Sequence, residues 1–399
     1  MMNFVRISKN WLNPEDQEIE IVERKGLGHP DTLADGLAEA VSVAYSKYCL
    51  NNFGVVLHHN VDKLFIGGGW FKSDFGHCEF LKPVKVVVNG RMSNTMDGQA
   101  IDLAAIQNQA VSDYLQVHLP NLLPQHLEII NSTTQHTTRP FWFSPRDIGD
   151  LPEATKLMAG DTSVSVAHWP MTICETLAYE LEHAFWSDKP FKHFIFNRVG
   201  QDIKVMVYRD GYGIDITVCM PVLAKDVLNR QEYNEIVREM ELMLSEVASR
   251  KLMISDSACL AKVRVNPGPD GYRLYMLGIG SCVECGEEGL VGRGNSPLGV
   301  ISTFRPYSME APAGKNPVYH TGRVMGFLTQ RLAKAIFDEL GVRCSVVSLA
   351  KNGQSLIPPA QLMIYVDRDV ARETIEDVVA RNFLQVDYLR EILEARVII

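Results

Sequence analysis

Apolar residues recur every three to four positions in some windows of the chain and alternate in others, and these two periods divide it into helices and strands. Over 30–50, Leu33, Leu37, Val41, Ala44 and Tyr48 share one helical face, with Pro30 suited to the first position and Asp31 to the first turn. Asp31, Asp35 and Glu39 stack four apart on another side, which periodicity alone reads as a solvated stripe. Further helices are expected over 102–117, 172–186, 231–250, 320–340, 370–380 and 386–395. Strands are expected over 55–59, 63–67, 84–88, 127–131, 203–209, 213–220, 344–350 and 362–366. The turn pair Asn89-Gly90 should end the 84–88 strand, and a hairpin is expected around 267–271. The segment before Glu23 reads as an acidic, irregular lead, and 132–152 as a loop of no assignable structure.

Long helices and hairpin-forming strands, without strict strand-helix-strand alternation, predict an α+β fold. The expectation is three similar layered domains, each a mixed or antiparallel sheet with helices on one face. At 399 residues the chain exceeds one ordinary core. Approximate divisions are 1–130, 131–260 and 261–399, with room for interleaving.

Composition narrows the class. A 46% hydrophobic and 22% charged chain without a long apolar run reads as a cytoplasmic globular protein. A net charge of −9 argues against a general nucleic-acid surface, so any phosphate site should be local. The eight cysteines are scattered, apart from Cys282 and Cys285, and read as reduced thiols. That pair has no partner pair at zinc-finger spacing, leaving metal or redox work against two small residues beside a strand. His58 and His59, adjacent on a strand, would face opposite ways and cannot share a metal.

The stretch 291–317 breaks both periods. It is rich in glycine and proline, carries Arg293, Arg305 and Lys315, and holds more apolar residues than a solvated linker. Glycine lets backbone N–H groups approach an anion and arginine grips oxygen pairs, so a polyphosphate cradle is expected, with a packed structural loop as the alternative. Gly314-Lys315 lacks the flanking residues of a P-loop, and Gly278 and Gly280 lack the third glycine of a dinucleotide fingerprint.

Gly28-His29-Pro30-Asp31-Thr32, His58-His59-Asn60, Asp62-Lys63, Asp161-Thr162-Ser163, Asp202-Ile203-Lys204, Gly292-Arg293-Gly294-Asn295 and the run from Arg305-Pro306 to Gly314-Lys315-Asn316-Pro317 occur in one order. Together they resemble the methionine adenosyltransferase (S-adenosylmethionine synthetase) family, in its archaeal-type branch. The resemblance implies transfer of the adenosyl group of ATP to the sulfur of L-methionine, followed by hydrolysis of the triphosphate to phosphate and pyrophosphate. It implies His29 beside the departing oxygen, and Lys63, Lys204, Arg293 and Lys315 as a triphosphate clamp with Asn295 and Asn316. It places Asp161 and Ser163 at methionine, and Asp31, with Asp35, Asp62 and Glu23 as weaker candidates, at two Mg2+ ions. Potassium and a homodimer or dimer of dimers with sites between subunits are further family expectations, with no nucleic-acid or membrane partner.

A thioether has no proton to lose, so positioning and charge stabilisation outweigh general-base catalysis. His29 has a helix-capping alternative, and Asp161 a turn-capping one. The chain departs from the family pattern after Ser163, at Glu287-Glu288, and at Tyr319 where Asn is usual. Two alternatives accompany the main reading: an enzyme using a methionine analogue, and a non-catalytic regulatory partner.

Overall fold

The computed structural model describes residues 2–135, 140–151, 157–186, 197–268, 274–296 and 298–394. Five long helices give the frame. Helix α1 (Pro30–Phe53) starts at a proline preset for the first turn and stops at Gly54, whose φ of 73° few other residues adopt. Helix α2 (Leu103–His118) is capped by Asp102. Helix α3 (Ile173–His183) opens with a reciprocal Thr172–Glu175 capping box. Helix α4 (Arg230–Ile254) is capped by Asn229, and α5 (Thr321–Leu340) by His320.

These helices cover three mixed sheets, each with its own apolar core. In the first, Leu127–Thr134, Val84–Met92, Phe65–Gly67 and Gly289–Leu290 lie side by side. Leu33, Leu37 and Val41 of α1 and Val111 of α2 share a core with Val84, Val86 and Val88. The second sheet runs Leu260–Val265, Gly213–Cys219, Lys204–Asp210, Ile19–Lys25 and Ile301–Ser302, under α3 and α4. The third runs Val5–Ser8, Gln361–Val366, Cys344–Ala350 and Ser163–Trp169, under α5. Every sheet thus joins strands distant in sequence. No helix among the described residues is long and apolar enough to cross a membrane.

Several expected elements change. The supposed irregular lead contains Ile19–Lys25, an interior strand of the second sheet. Its inward set is Glu20, Val22 and Arg24, so two charged residues mask the alternation that marks a strand. The strand Val84–Met92 runs through Asn89-Gly90 without turning. Gly90 is required there because a Cβ would lie 2.0 Å from the Asn60 carbonyl oxygen. The 55–59 strand is reduced to His59–Asn60. The described strands flanking the expected 267–271 hairpin pair elsewhere, Leu260–Val265 with Gly213–Cys219 and Met276–Leu277 with Val222–Leu223. Residues 269–273, 136–139 and 152 lie outside the described residues, and the rest of 132–152 holds the end of Leu127–Thr134 and two short helical turns.

Candidate active site

The acidic stripe of α1 is not solvated. Asp31, Asp35 and Glu39 are buried, and each accepts a backbone N–H from the irregular stretch or its entry. Asp31 Oδ1 takes the Leu290 N–H at 3.2 Å, Asp35 Oδ1 the Gly292 N–H at 2.7 Å, and Glu39 Oε2 the Gly314 N–H at 3.2 Å. Both ends of the loop are therefore bound to one helix face. Gly289 and Gly294 permit this approach, since a Cβ on either would meet the Pro30 carbonyl oxygen at 1.9 Å or Asp35 Oδ2 at 2.2 Å. Burial, opposed by the Gly292 amide and reinforced by Asp31, raises the Asp35 pKa to about 7. Glu39 also pairs with Arg323 of α5.

Above the N-terminus of α1 lies one group of charged residues. His29 caps the helix, its Nδ1 accepting the Asp31 N–H at 3.2 Å. A ring accepting at Nδ1 carries its proton on Nε2 when neutral. Burial, then the Lys25 charge, lowers its pKa to about 4. Lys25 donates to Asp31 Oδ2 at 2.8 Å and to the Arg293 carbonyl at 2.6 Å. Across the strand pair, Lys25 stands directly opposite Lys204, which is bridged to Glu23 at 3.0 Å. Arg293 is largely exposed, 3.9 Å from Asp31. Asn295 fixes the Lys25 backbone, accepting its N–H at 3.0 Å and donating to its carbonyl at 2.7 Å.

A second group lies at the far end of the same helix face, about 12 Å along α1 from Asp31 to Glu39 at 1.5 Å per residue. Lys315 is buried, paired with Glu310 and 3.8 Å from Asp62. Lys63 is exposed and holds Asp62 at 2.7 Å. His320 caps α5 as His29 caps α1, its Nδ1 accepting the Gly322 N–H at 3.3 Å. Burial and the Lys315 charge lower its pKa to about 4. Asp161 is exposed, its Oδ1 accepting the Thr162 N–H at 2.7 Å, so the turn-capping role is present. Ser163 is buried, with its hydroxyl unpaired among the described residues. Tyr319 stacks on His58 at 5.4 Å and packs against Gly160, next to Asp161.

Between the groups opens a cavity of ≈ 430 Å³, with Asp35, Asn295, Ser308 and Glu310 on its wall. Two polar residues of the loop are committed to structure. Arg305 is buried and forks onto Glu175 through two 2.8 Å bonds. Asn316 is fully buried, donating to the Leu57 carbonyl at 3.1 Å and accepting the Val318 N–H at 2.9 Å, which leaves it no route to a ligand. His59 is likewise spent between Ser42 and the Leu57 carbonyl.

Sequence reasoning missed Lys25, Glu310 and His320. Lys25 had a signal: in an interior strand, its outward register shares a face with Lys204. For Mg2+, the donor set fits an ion arriving with its phosphates. Asp31 already holds one donor on each oxygen, and among the described residues no group of three or more His, Cys, Asp or Glu is placed to cage a metal. Glu23 and Asp62 face lysines, and Asp35 has one oxygen on Gly292 and the other against Gly294.

Comparisons with known proteins meet this geometry. The S-adenosylmethionine synthetase (AdoMet synthetase) family model matches residues 4–394. An uncharacterized protein of Streptococcus pyogenes serotype M1 is 38% identical over 385 residues, covering 95% of this chain and 93% of that protein. The S-adenosylmethionine synthase of Aeropyrum pernix is 35% identical over 372 residues, covering 91% and 89%. That of Haloarcula marismortui is 34% identical over 332 residues, covering 82% and 80%. A solved structure of an unusual S-adenosylmethionine synthetase from Campylobacter jejuni shares the fold, with a TM-score of 0.56 at 16% identity, covering 94% of this chain and 88% of that one. The match along nearly the whole chain and the archaeal relatives together establish that this protein belongs to the S-adenosylmethionine synthetase family, in its archaeal-type branch.

Proposed function

We propose that the chain joins ATP and L-methionine, the methionine sulfur displacing triphosphate from the ribose C5′, and that it then hydrolyses the triphosphate to phosphate and pyrophosphate. The observation that carries this reading is the state of His29. Its Nδ1 is occupied by the Asp31 amide, so a neutral ring carries its proton on Nε2, and the Lys25 and Lys204 charges act on that ring. A fixed donor near two cations is suited to the negative charge that grows on the leaving oxygen. The sulfur loses no proton, so the adenosyl transfer itself needs no general base.

Each candidate lysine is held by an acid: Lys25 by Asp31, Lys204 by Glu23, Lys63 by Asp62, and Lys315 by Glu310. Triphosphate entry would draw the cations to phosphate oxygens and release the acids. Bound Mg2+ would neutralise phosphate charge, with Asp31 as its first protein ligand and Glu23 and Asp62 as secondary ones. Asp161 offsets the positive charge forming on sulfur, and Ser163 lies beside it.

The two groups are proposed to complete one another across a homodimer, the first of one copy facing the second of its partner. The outer face of the second sheet supports this, because Tyr208 and Ile19 expose apolar surface on the same strands as Lys204 and Lys25, toward their other end. Mixing His29→Asn with Lys315→Ala protein should restore part of the activity that each lacks alone.

The main test is incubation with ATP, methionine and Mg2+, with S-adenosylmethionine and phosphate read by mass spectrometry beside a Lys315→Ala control. Absence of the sulfonium product at every ion composition would refute the reading. A second reading, a methionine analogue as the sulfur substrate, is favoured by one observation: the bulky Tyr319 ring lies against Gly160 at the Asp161 turn. Competition among methionine analogues separates the two.

A further inference from the structure

Cys282 and Cys285 take no part in the reaction proposed above. Cys282 opens the single helical turn Cys282–Glu284 and Cys285 closes it, its N–H donating to the Cys282 carbonyl at 3.0 Å. Residues three apart on such a turn eclipse one another, and the closed hydrogen bond keeps their Cα atoms within about 7 Å, where a disulfide can form. Cys282 is buried, its Sγ 3.2 Å from the Tyr275 hydroxyl, while Cys285 is exposed. The Cys285 thiol donates to the Cys282 carbonyl at 3.4 Å; the neighbouring Cys285 thiol, then burial, pushes the Cys282 pKa up, and the neighbouring Cys282 pulls that of Cys285 down. An exposed thiol with a buried thiol three residues away on one turn has the layout of an attacking and a resolving cysteine.

The turn is also joined to the floor of the site. The Cys282 N–H donates to Asp202 Oδ2 at 2.8 Å, and the Asp202 N–H to the Gly280 carbonyl at 2.9 Å. Ser281 Oγ donates to the Gly28 carbonyl at 2.6 Å, and the Gly28 N–H to the Gln201 carbonyl at 2.8 Å. These bonds link the turn to Gly28, the residue before His29.

We propose that Cys282 and Cys285 form a reversible dithiol–disulfide couple, oxidised by small-molecule disulfides, and that closing it displaces the turn beneath His29 and lowers activity. The chemistry stands alone, whereas the effect on activity rests on the adenosyl-transfer reading. The Cys285 thiolate attacks one sulfur of glutathione disulfide, releasing one glutathione thiolate. The Cys282 thiol then loses its proton and attacks the mixed disulfide at Cys285, releasing the second. Two protein thiols are oxidised and one small disulfide is reduced to two thiols.

The test treats the full-length protein with mixtures of reduced and oxidised glutathione, then alkylates it and reads intact and peptide masses. The expected result is loss of two of the eight thiols, a mass fall of about 2 Da, and a bridge within one peptide containing both residues. Cys282→Ser should trap glutathione on Cys285, and Cys285→Ser should keep basal activity with no bridge. Wild-type kcat/KM for ATP should fall about threefold or more and recover with reductant, while Cys285→Ser stays indifferent. Eight persistent thiols, or a bridge to Cys78 or Cys219, would overturn the couple. A correctly mapped bridge with unchanged kcat/KM would overturn its regulatory role, and absence of synthase activity in the reduced protein would count against the proposed reaction instead.

Discussion

The Asp35 carboxylate accepts the Gly292 amide proton at 2.7 Å, one turn after Asp31 takes that of Leu290 and one turn before Glu39 takes that of Gly314. Three acids spaced for a helix face thus hold a segment that has little regular structure of its own. The helix supplies rigidity and the loop supplies function, which is how a site built on irregular backbone keeps its geometry.

The Glu39–Arg323 pair fastens this assembly to α5. Glu39→Gln leaves a buried guanidinium without its counter-charge and is expected to destabilise the protein by about 3–5 kcal/mol. Urea denaturation measures this, and the paired change Glu39→Leu with Arg323→Met should recover most of the loss.

His29→Asn separates capping from catalysis. Asparagine is among the best N-cap residues, so stability should change by less than about 1 kcal/mol. Loss of the Nε2 donor should lower kcat by roughly 100- to 1000-fold with a small change in KM. Thermal melts and steady-state kinetics on the same preparation check both halves.

Lys25 faces Lys204 across an antiparallel pair, each held by its own acid, so the two cations are placed to share one anion. Lys25→Met should weaken ATP binding by about tenfold or more, and Lys25→Arg should restore part of it. Calorimetric titration with ATP and Mg2+ reads this directly. Unaltered affinity in Lys25→Met would remove Lys25 from the site.

Lys315→Met should lose activity and also stability, by about 1–3 kcal/mol, because Glu310 and Asp62 are left facing each other. Adding Glu310→Gln should return stability without activity. Denaturation and product assays on the single and double variants distinguish a clamp cation from a purely structural one.

Burial raises the Asp202 pKa from 3.8 to about 7, with the Cys282 amide opposing the shift. The folded protein then holds a proton that the unfolded chain has lost, so this residue's contribution is complete below about pH 4 and falls away as pH rises to about 7. Asp202→Asn should flatten stability across that window relative to wild type, by on the order of 4 kcal/mol at most. Denaturation midpoints at pH 4.5 and 8 provide the comparison.

What the sequence disclosed follows physical lines. Helices with one apolar face, such as α1 and α5, were legible to within a few residues because caps and periodicity agreed. Ile19–Lys25 was illegible because Glu20 and Arg24 point into the protein, each answered by a partner far along the chain. The same long-range pairing hid the roles of the α1 acids and of Arg305 and Asn316, whose partners no local pattern reveals. His29 was readable both as a cap and as a donor, and its geometry makes these one property, since filling Nδ1 is what frees Nε2–H.

The three α1 carboxylates also bear on motion. The amide hydrogens of Leu290, Gly292 and Gly314 belong to no long strand or helix, yet they can exchange with solvent only when α1 releases them. Their exchange should follow the slow opening of a buried helix rather than the rapid fraying of a surface loop, so the site and its supporting helix open as one cooperative unit.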